Sequence, residues 1–339
     1  MAAPKICFDR VLPRDLRRQQ MTKTDGARAR AIAIAGRQWV NGSTIKIRLV
    51  GGTDSARRLV EDTATKWLDF ANLNFEFRDD PRAEIRVTFD SNDGAWSYIG
   101  LDNLDIPLNA ATLNLGWIDE AVILHEFGHM IGLAHEHQNP DGGIVWNEAN
   151  VIRDLSGPPN YWDEGTIRQN VLNKYSANQV LGTDFDPDSI MLYAFPDDWT
   201  ANMGATHANT KLSSLDEGFI QSEKMYPRLA STPDQRATDI EVQAPVESAI
   251  ETAGAELLFR FKVKRPGVYV VETSGSSDVV LTLFGPDSVQ KRIAEDDDGG
   301  ANFNARIHAQ LSNGTYYARV RQYSEKATGQ FGIRVTAQP

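Results

Sequence analysis

The chain has 339 residues, of which 41% are hydrophobic and 24% charged, and a net charge of −11 at pH 7. That length exceeds one ordinary core and implies two domains, and the composition is that of a globular protein rather than a fibrous or disordered one. No apolar run is long enough to span a bilayer, the acidic balance argues against nucleic acid as the main partner, and the single cysteine, Cys7, excludes an intrachain disulfide.

The charge is uneven. Residues 1–37 hold nine Lys/Arg and three Asp, a balance of +6 against −17 for the remainder. Residues 1–36 have no clean hydrophobic period and read as a basic arm with one or two short helices, able to dock in cis on an acidic body. The first residues, Met-Ala-Ala-Pro-Lys, lack the apolar core of a common signal peptide. Residues 44–50 alternate apolar and polar, which predicts a strand. Asp54 can cap a helix over 56–72, where Leu59, Val60, Ala64, Trp67, Leu68 and Ala71 recur at helical spacing. Residues 74–78, 83–89 and 112–117 read as further strands. A second long helix starts at Asp119. This order predicts a mixed sheet with two long helices on one face. Residues 141–188 are rich in loop formers, and 213–225 read as a last helix. Residues 227–245 carry three prolines and read as a linker. Beyond it, six short runs (257–263, 267–273, 279–284, 305–311, 315–322 and 330–336) separated by turn residues predict an antiparallel sandwich over 246–339.

The sharpest signal is the run His125-Glu126-Phe127-Gly128-His129-Met130-Ile131-Gly132-Leu133-Ala134-His135. Residues four apart on a helix share a face, so His125 and His129 can address one metal ion. Gly132 accepts φ > 0, so the helix can stop and the chain can turn back to bring His135 in from a loop. Three protein ligands leave a fourth position open, the arrangement of a catalytic zinc site. Glu126, beside the first ligand, is placed to act as general base toward a zinc-activated water and then to protonate the leaving amine of a peptide. His137, His207 and His308 are read as non-ligands, His137 because two residues past His135 it points elsewhere. A closed structural zinc site with Cys7 as fourth ligand is the competing reading. A binding protein with a vestigial catalytic domain is a third, opposed by the intact Glu126 and histidines.

The eleven-residue run resembles the signature of the metzincin zinc peptidases. Two features are similar to the astacin branch: His135 is followed by Glu136-His137-Gln138, and Asp188-Ser189-Ile190-Met191-Leu192-Tyr193 looks like its Met-turn. Leu192 departs from the usual histidine. Trp39-Val40-Asn41-Gly42, Trp96-Ser97-Tyr98-Ile99-Gly100 and Leu113-Asn114-Leu115-Gly116 are looser matches. The resemblance implies an α+β metzincin domain over 37–226, with a mixed twisted sheet, two long helices (one the active-site helix) and a Met-turn. It implies Met191 as the hydrophobic base under the zinc. It implies Tyr193 as a mobile fifth ligand that swings out to stabilise the oxyanion. It implies Glu136 as receiver of the new N-terminus after cleavage. It also implies protein or peptide substrates, bound by strand addition to an edge strand that we place at 111–117. The S1′ wall is expected within 194–203, which holds no Lys or Arg.

In such families a pro-segment residue often occupies the open zinc position, so the arm resembles a propeptide. Thiolate is a strong zinc ligand, which makes Cys7 a candidate latency ligand. Asp9 is the alternative, and a bystander thiol is the plain reading. The tail resembles bacterial pre-peptidase C-terminal domains, on 278–284, Asp296-Asp297-Asp298-Gly299-Gly300 and 314–320. That implies a β-sandwich attached to a secreted hydrolase, binding substrate or a surface. Asp296, Asp297 and Asp298 are candidate Ca²⁺ ligands or a solvated turn.

Overall fold

The computed structural model describes residues 7–9, 33–34, 36–175, 180–181, 185–228 and 232–338. Its first unit comprises Met1–Trp39 and Thr44–Met225, its second Val40–Ser43 and Tyr226–Pro339. Most of the arm, residues 1–6, 10–32 and 35, lies outside the described residues, as does the side chain of Asp9. The one or two short helices expected there fall outside the described residues; what is described of the arm includes β1 (Phe8–Asp9) and β2 (Ala33–Ile34).

The first unit continues with β3 (Thr44–Leu49), α1 (Asp54–Ala64), β4 (Asn74–Phe77), β5 (Ile85–Thr88), β6 (Ala95–Ser97), β7 (Leu113–Leu115) and α2 (Glu120–Met130). Six strands form one mixed sheet in the order β1-β6-β7-β5-β3-β4. The four strands from β7 to β4 run parallel, β6 is antiparallel to β7, and β1 pairs parallel with β6, Phe8 opposite Trp96 and Asp9 opposite Ser97. This corrects the edge-strand assignment. Residues 111–117 hold β7, which is interior between β6 and β5. The outer antiparallel strand is β6, and β1 covers its outer side.

Helix α1 is capped by Thr53, whose hydroxyl accepts the Ala56 N–H at 3.2 Å. The expected cap, Asp54, instead lies in the first turn, where its charge suits the helix dipole. The helix stops earlier than its periodicity suggests. The Thr65 hydroxyl bonds back to the Glu61 carbonyl, and the chain tightens into a 3₁₀ turn over Thr65–Asp69. That turn buries Trp67, whose indole N–H reaches the Leu124 carbonyl on α2 at 3.0 Å. Helix α2 begins at an Asp119 cap and is buried at every residue from Val122 to Met130. An interior helix of this kind cannot drift, which matters for the side chains it carries.

Arg86 on β5 fixes the approach to β7. Its buried guanidinium donates to the carbonyls of Ala83 (2.9 Å), Ile106 (3.1 Å) and Ala110 (2.6 Å). Arg86→Met keeps the stem but strands these carbonyls out of water, so we expect a loss of roughly 3 kcal/mol. The readout is a lower urea midpoint with an unchanged slope.

After α2 come α3 (Glu148–Leu155), α4 (Glu164–Ile167), a π turn over Arg168–Leu172, β8 (Val180–Leu181) and α5 (Ser214–Ile220). β8 pairs with β2.

In the second unit, residues 227–245, expected as linker, contain α6 (Pro233–Arg236) and β9 (Thr238–Asp239), and β9 joins a sheet. Eight longer strands follow: β10 (Val246–Ile250), β11 (Glu256–Val263), β12 (Gly267–Ser274), β13 (Val279–Phe284), β14 (Arg292–Asp296), β15 (Arg306–Leu311), β16 (Gly314–Gln322) and β17 (Gly329–Ala337). They form sheets β10-β17-β12-β15 and β14-β13-β16-β11-β9 around one apolar core that includes Phe259, Phe261, Leu281, Tyr316 and Phe331. The acidic turn gives no support to calcium. Asp296 spends its carboxylate on the Gly299 and Arg306 N–H groups at 2.8 and 2.7 Å, and among the described residues the three aspartates form no metal-sized group.

Candidate metal centre

Helix α2 ends in a Schellman arrangement. Gly132, at φ +107°, lets its N–H reach the His129 carbonyl at 2.8 Å while the Leu133 N–H reaches Gly128 at 2.9 Å. The reversal carries Ala134 and His135 back beneath the helix. β2 clamps this turn: Ile34 donates to the Gly132 carbonyl, and Ala33 bridges to Leu133.

Four side chains then converge. The Nε2 atoms of His125 and His135 each lie 3.1 Å from Nε2 of His129, and the Cys7 thiol lies 2.9 Å from His125 Nε2 and 3.6 Å from His135 Nε2. All four residues are buried. The tautomers follow from carbonyl partners, which can only accept. His125 Nδ1 donates to the Ile190 carbonyl at 2.7 Å and His129 Nδ1 to Leu133 at 2.9 Å. The Tyr193 phenol donates to the Cys7 carbonyl at 2.6 Å, so His135 Nδ1 is the donor in its 3.3 Å contact with Tyr193. Each Nε2 therefore aims a lone pair at the same point. Converging lone pairs repel unless a cation lies between them. Zinc at about 2.0–2.1 Å from each nitrogen needs tetrahedral edges of about 3.3 Å, close to the observed spacing. The residues fit zinc, with outer partners that set the ligands' protonation. Chelating a metal held here at a thousand times its dissociation constant should lower stability by about 4 kcal/mol. The check is the melting temperature with and without chelator, restored by Zn²⁺.

The surroundings hold the cluster rigid. Glu126 is fully buried on α2 beside His125. Met191, in the turn Ser189–Leu192, lies against the helix: a Cβ on Gly128 would sit 2.5 Å from its sulfur. Asp216, which the sequence reading missed, accepts the Ser189 hydroxyl (2.7 Å) and the Ile190 N–H (2.9 Å), and so fixes the carbonyl that orients His125. Its only local signal, the capping box of Ser213 and Asp216, marks the start of α5 and not a part in the site. Burial pushes the Asp216 carboxyl up to about 6. Glu136 is also buried, accepts from Asn139 and from the Asp186 N–H (both 3.0 Å), and is pushed up to about 8 by loss of hydration. His137 stays outside the metal-sized group; its ring stacks on that of His135 and lies tilted against that of Tyr193. His207 instead faces Asp188 at the surface, and His308 lies on β15 of the second unit.

A family model described as Astacin, an astacin peptidase family, matches residues 32–208. Among curated proteins, zinc metalloproteinase dpy-31 of Brugia malayi is 32% identical over 126 residues, 36% of this chain and 20% of that protein. Zinc metalloproteinase nas-26 of Caenorhabditis elegans is 29% identical over 145 residues, 41% of this chain and 34% of that one. The chain thus spans between a fifth and about a third of the length of these relatives. A solved structure of myroilysin is 36% identical, with a TM-score of 0.56 over 58% of this chain and 99% of its own.

Proposed function

This chain belongs to the astacin family of peptidases, and from that premise we infer that it is a zinc metalloendopeptidase held latent by its own N-terminal arm. The observation that carries this reading is the convergence of three imidazole lone pairs and the Cys7 thiol on one point. Zinc supplies Lewis acidity there, toward a peptide carbonyl and toward water. Glu126 takes a proton from the attacking water and delivers it to the leaving amine. Tyr193 donates its phenol proton to the developing oxyanion once the Cys7 carbonyl withdraws. Met191 is the apolar floor beneath the cluster. The outer side of β6, cleared of β1, offers its backbone to an extended protein or peptide substrate. Buried Glu136, whose carboxyl has lost its hydration, suits the ammonium of a new N-terminus.

A closed structural site is the second reading, because Cys7 supplies a fourth protein ligand. A carboxyl buried beside such a site, as Glu126 is, would serve no purpose and cost stability. Limited trypsin treatment of the zinc-loaded chain separates the two. We expect casein cleavage to appear as the arm is cut and to vanish with chelator. Zinc retained after arm removal with no cleavage of any peptide would favour the closed site.

A further inference from the structure

We propose that His137 is a positioning residue for Tyr193; the role rests on the peptidase reading above. Among the described residues His137 belongs to no metal-sized group, and it has no exposed surface. Its ring lies 4.6 Å from that of Tyr193 at 32° and 5.2 Å from that of His135 at 28°. Phe195 and Trp146 meet it edge-on, at 5.3 and 6.0 Å. Tyr193 is thus bounded by the ligand imidazoles (His135 at 4.2 Å, His125 at 5.9 Å) and by His137.

The imidazole does what a plain aromatic ring cannot. Its Nε2 donates to the Asn170 carbonyl at 2.8 Å, which fixes the rotation of the ring. Asn170 belongs to the π turn, and that turn is pinned from the neighbouring position: Gln138 Nε2 donates to the Gln169 and Asn173 carbonyls at 2.7 and 3.0 Å. π turns inside helices recur at functional sites. His137 therefore presents a locked flat face, and the Tyr193 ring can move only along it. Without that face the tyrosine tilts into the space left behind, and its phenol oxygen leaves the position where it can meet an oxyanion. Misplacement of about 1 Å is enough to cost rate.

The test uses the chain carrying Cys7→Ala as reference, its arm cut by limited trypsin so that the residue 7 carbonyl no longer holds the Tyr193 phenol, with His137→Ala and His137→Phe added singly. Peptide kinetics, zinc content and melting temperature are measured for all three. The copper(II)-substituted proteins are examined for phenolate-to-copper charge-transfer absorption, which reports Tyr193 at the metal. His137→Ala should lower kcat about tenfold with KM unchanged, the pattern of an interaction realised in the transition state. Its charge-transfer band should weaken or shift while zinc content stays that of the reference. His137→Phe, which restores a flat face but not the Nε2 bond that locks it, should recover kcat only in part. Equal kcat and an identical band in His137→Ala overturn the proposal. So does loss of zinc in both variants, the mark of a merely structural residue. A reference chain that cleaves nothing counts against the peptidase reading instead, and the copper band then decides for His137: unchanged overturns it, weakened sustains it.

Discussion

Glu126→Gln should lower kcat/KM by about 10³–10⁴-fold while zinc stays bound. A general base contributes about 10²–10⁴-fold, and in the proposed mechanism one carboxylate serves both proton transfers, so the upper part of that range is expected. The amide has nearly the shape of the carboxylate but cannot carry a proton from water to amine. Zinc retention follows from geometry: the converging atoms belong to Cys7, His125, His129 and His135, not to Glu126. Stability should hold or rise, since a fully buried charge is exchanged for a neutral group. Initial rates in a Cys7→Ser background, with metal analysis of the same samples, give the answer. Retention of more than a tenth of the parent rate would remove Glu126 from the mechanism.

The parts of this site that were legible in the sequence are those set by local geometry. Two histidines four apart on a helix, a capping Asp119 and a glycine that must turn the chain are statements about a few consecutive residues. Tail strands were legible because short β-prone runs are separated by turn residues, and β15 alternates residue by residue against a buried face. The remainder depended on distant pairing. β6 has three residues, too few for a period, and its partner β1 lies almost ninety residues upstream. Asp216 acts on a turn 26 residues earlier, and nothing local distinguishes it from an ordinary cap. The reading of His137 as a non-ligand agrees with its place outside the metal-sized group, but its place beside Tyr193 was not legible. Glu136–Gln138 form a 3₁₀ turn, so counting residues from His135 could not set the direction of the imidazole.

Cys7→Ser should raise the activity of the full-length chain by on the order of 10–100-fold without any cut. A latch that keeps 99% of molecules closed is worth about 2.7 kcal/mol, and a serine hydroxyl is a far poorer zinc ligand than a thiolate. The substitution removes only one of three holds. The Cys7 carbonyl still accepts the Tyr193 phenol, and β1 still pairs with β6. Activity of Cys7→Ser should therefore stop short of that after trypsin, which frees the tyrosine and the strand edge together. The comparison needs three initial rates: wild type, Cys7→Ser, and either one after limited digestion. Wild-type activity that is full at once, and unchanged by Cys7→Ser, leaves the thiol a bystander. A rise to the fully digested rate means that the sulfur alone holds the arm, and that the parallel strand and the phenol merely follow it.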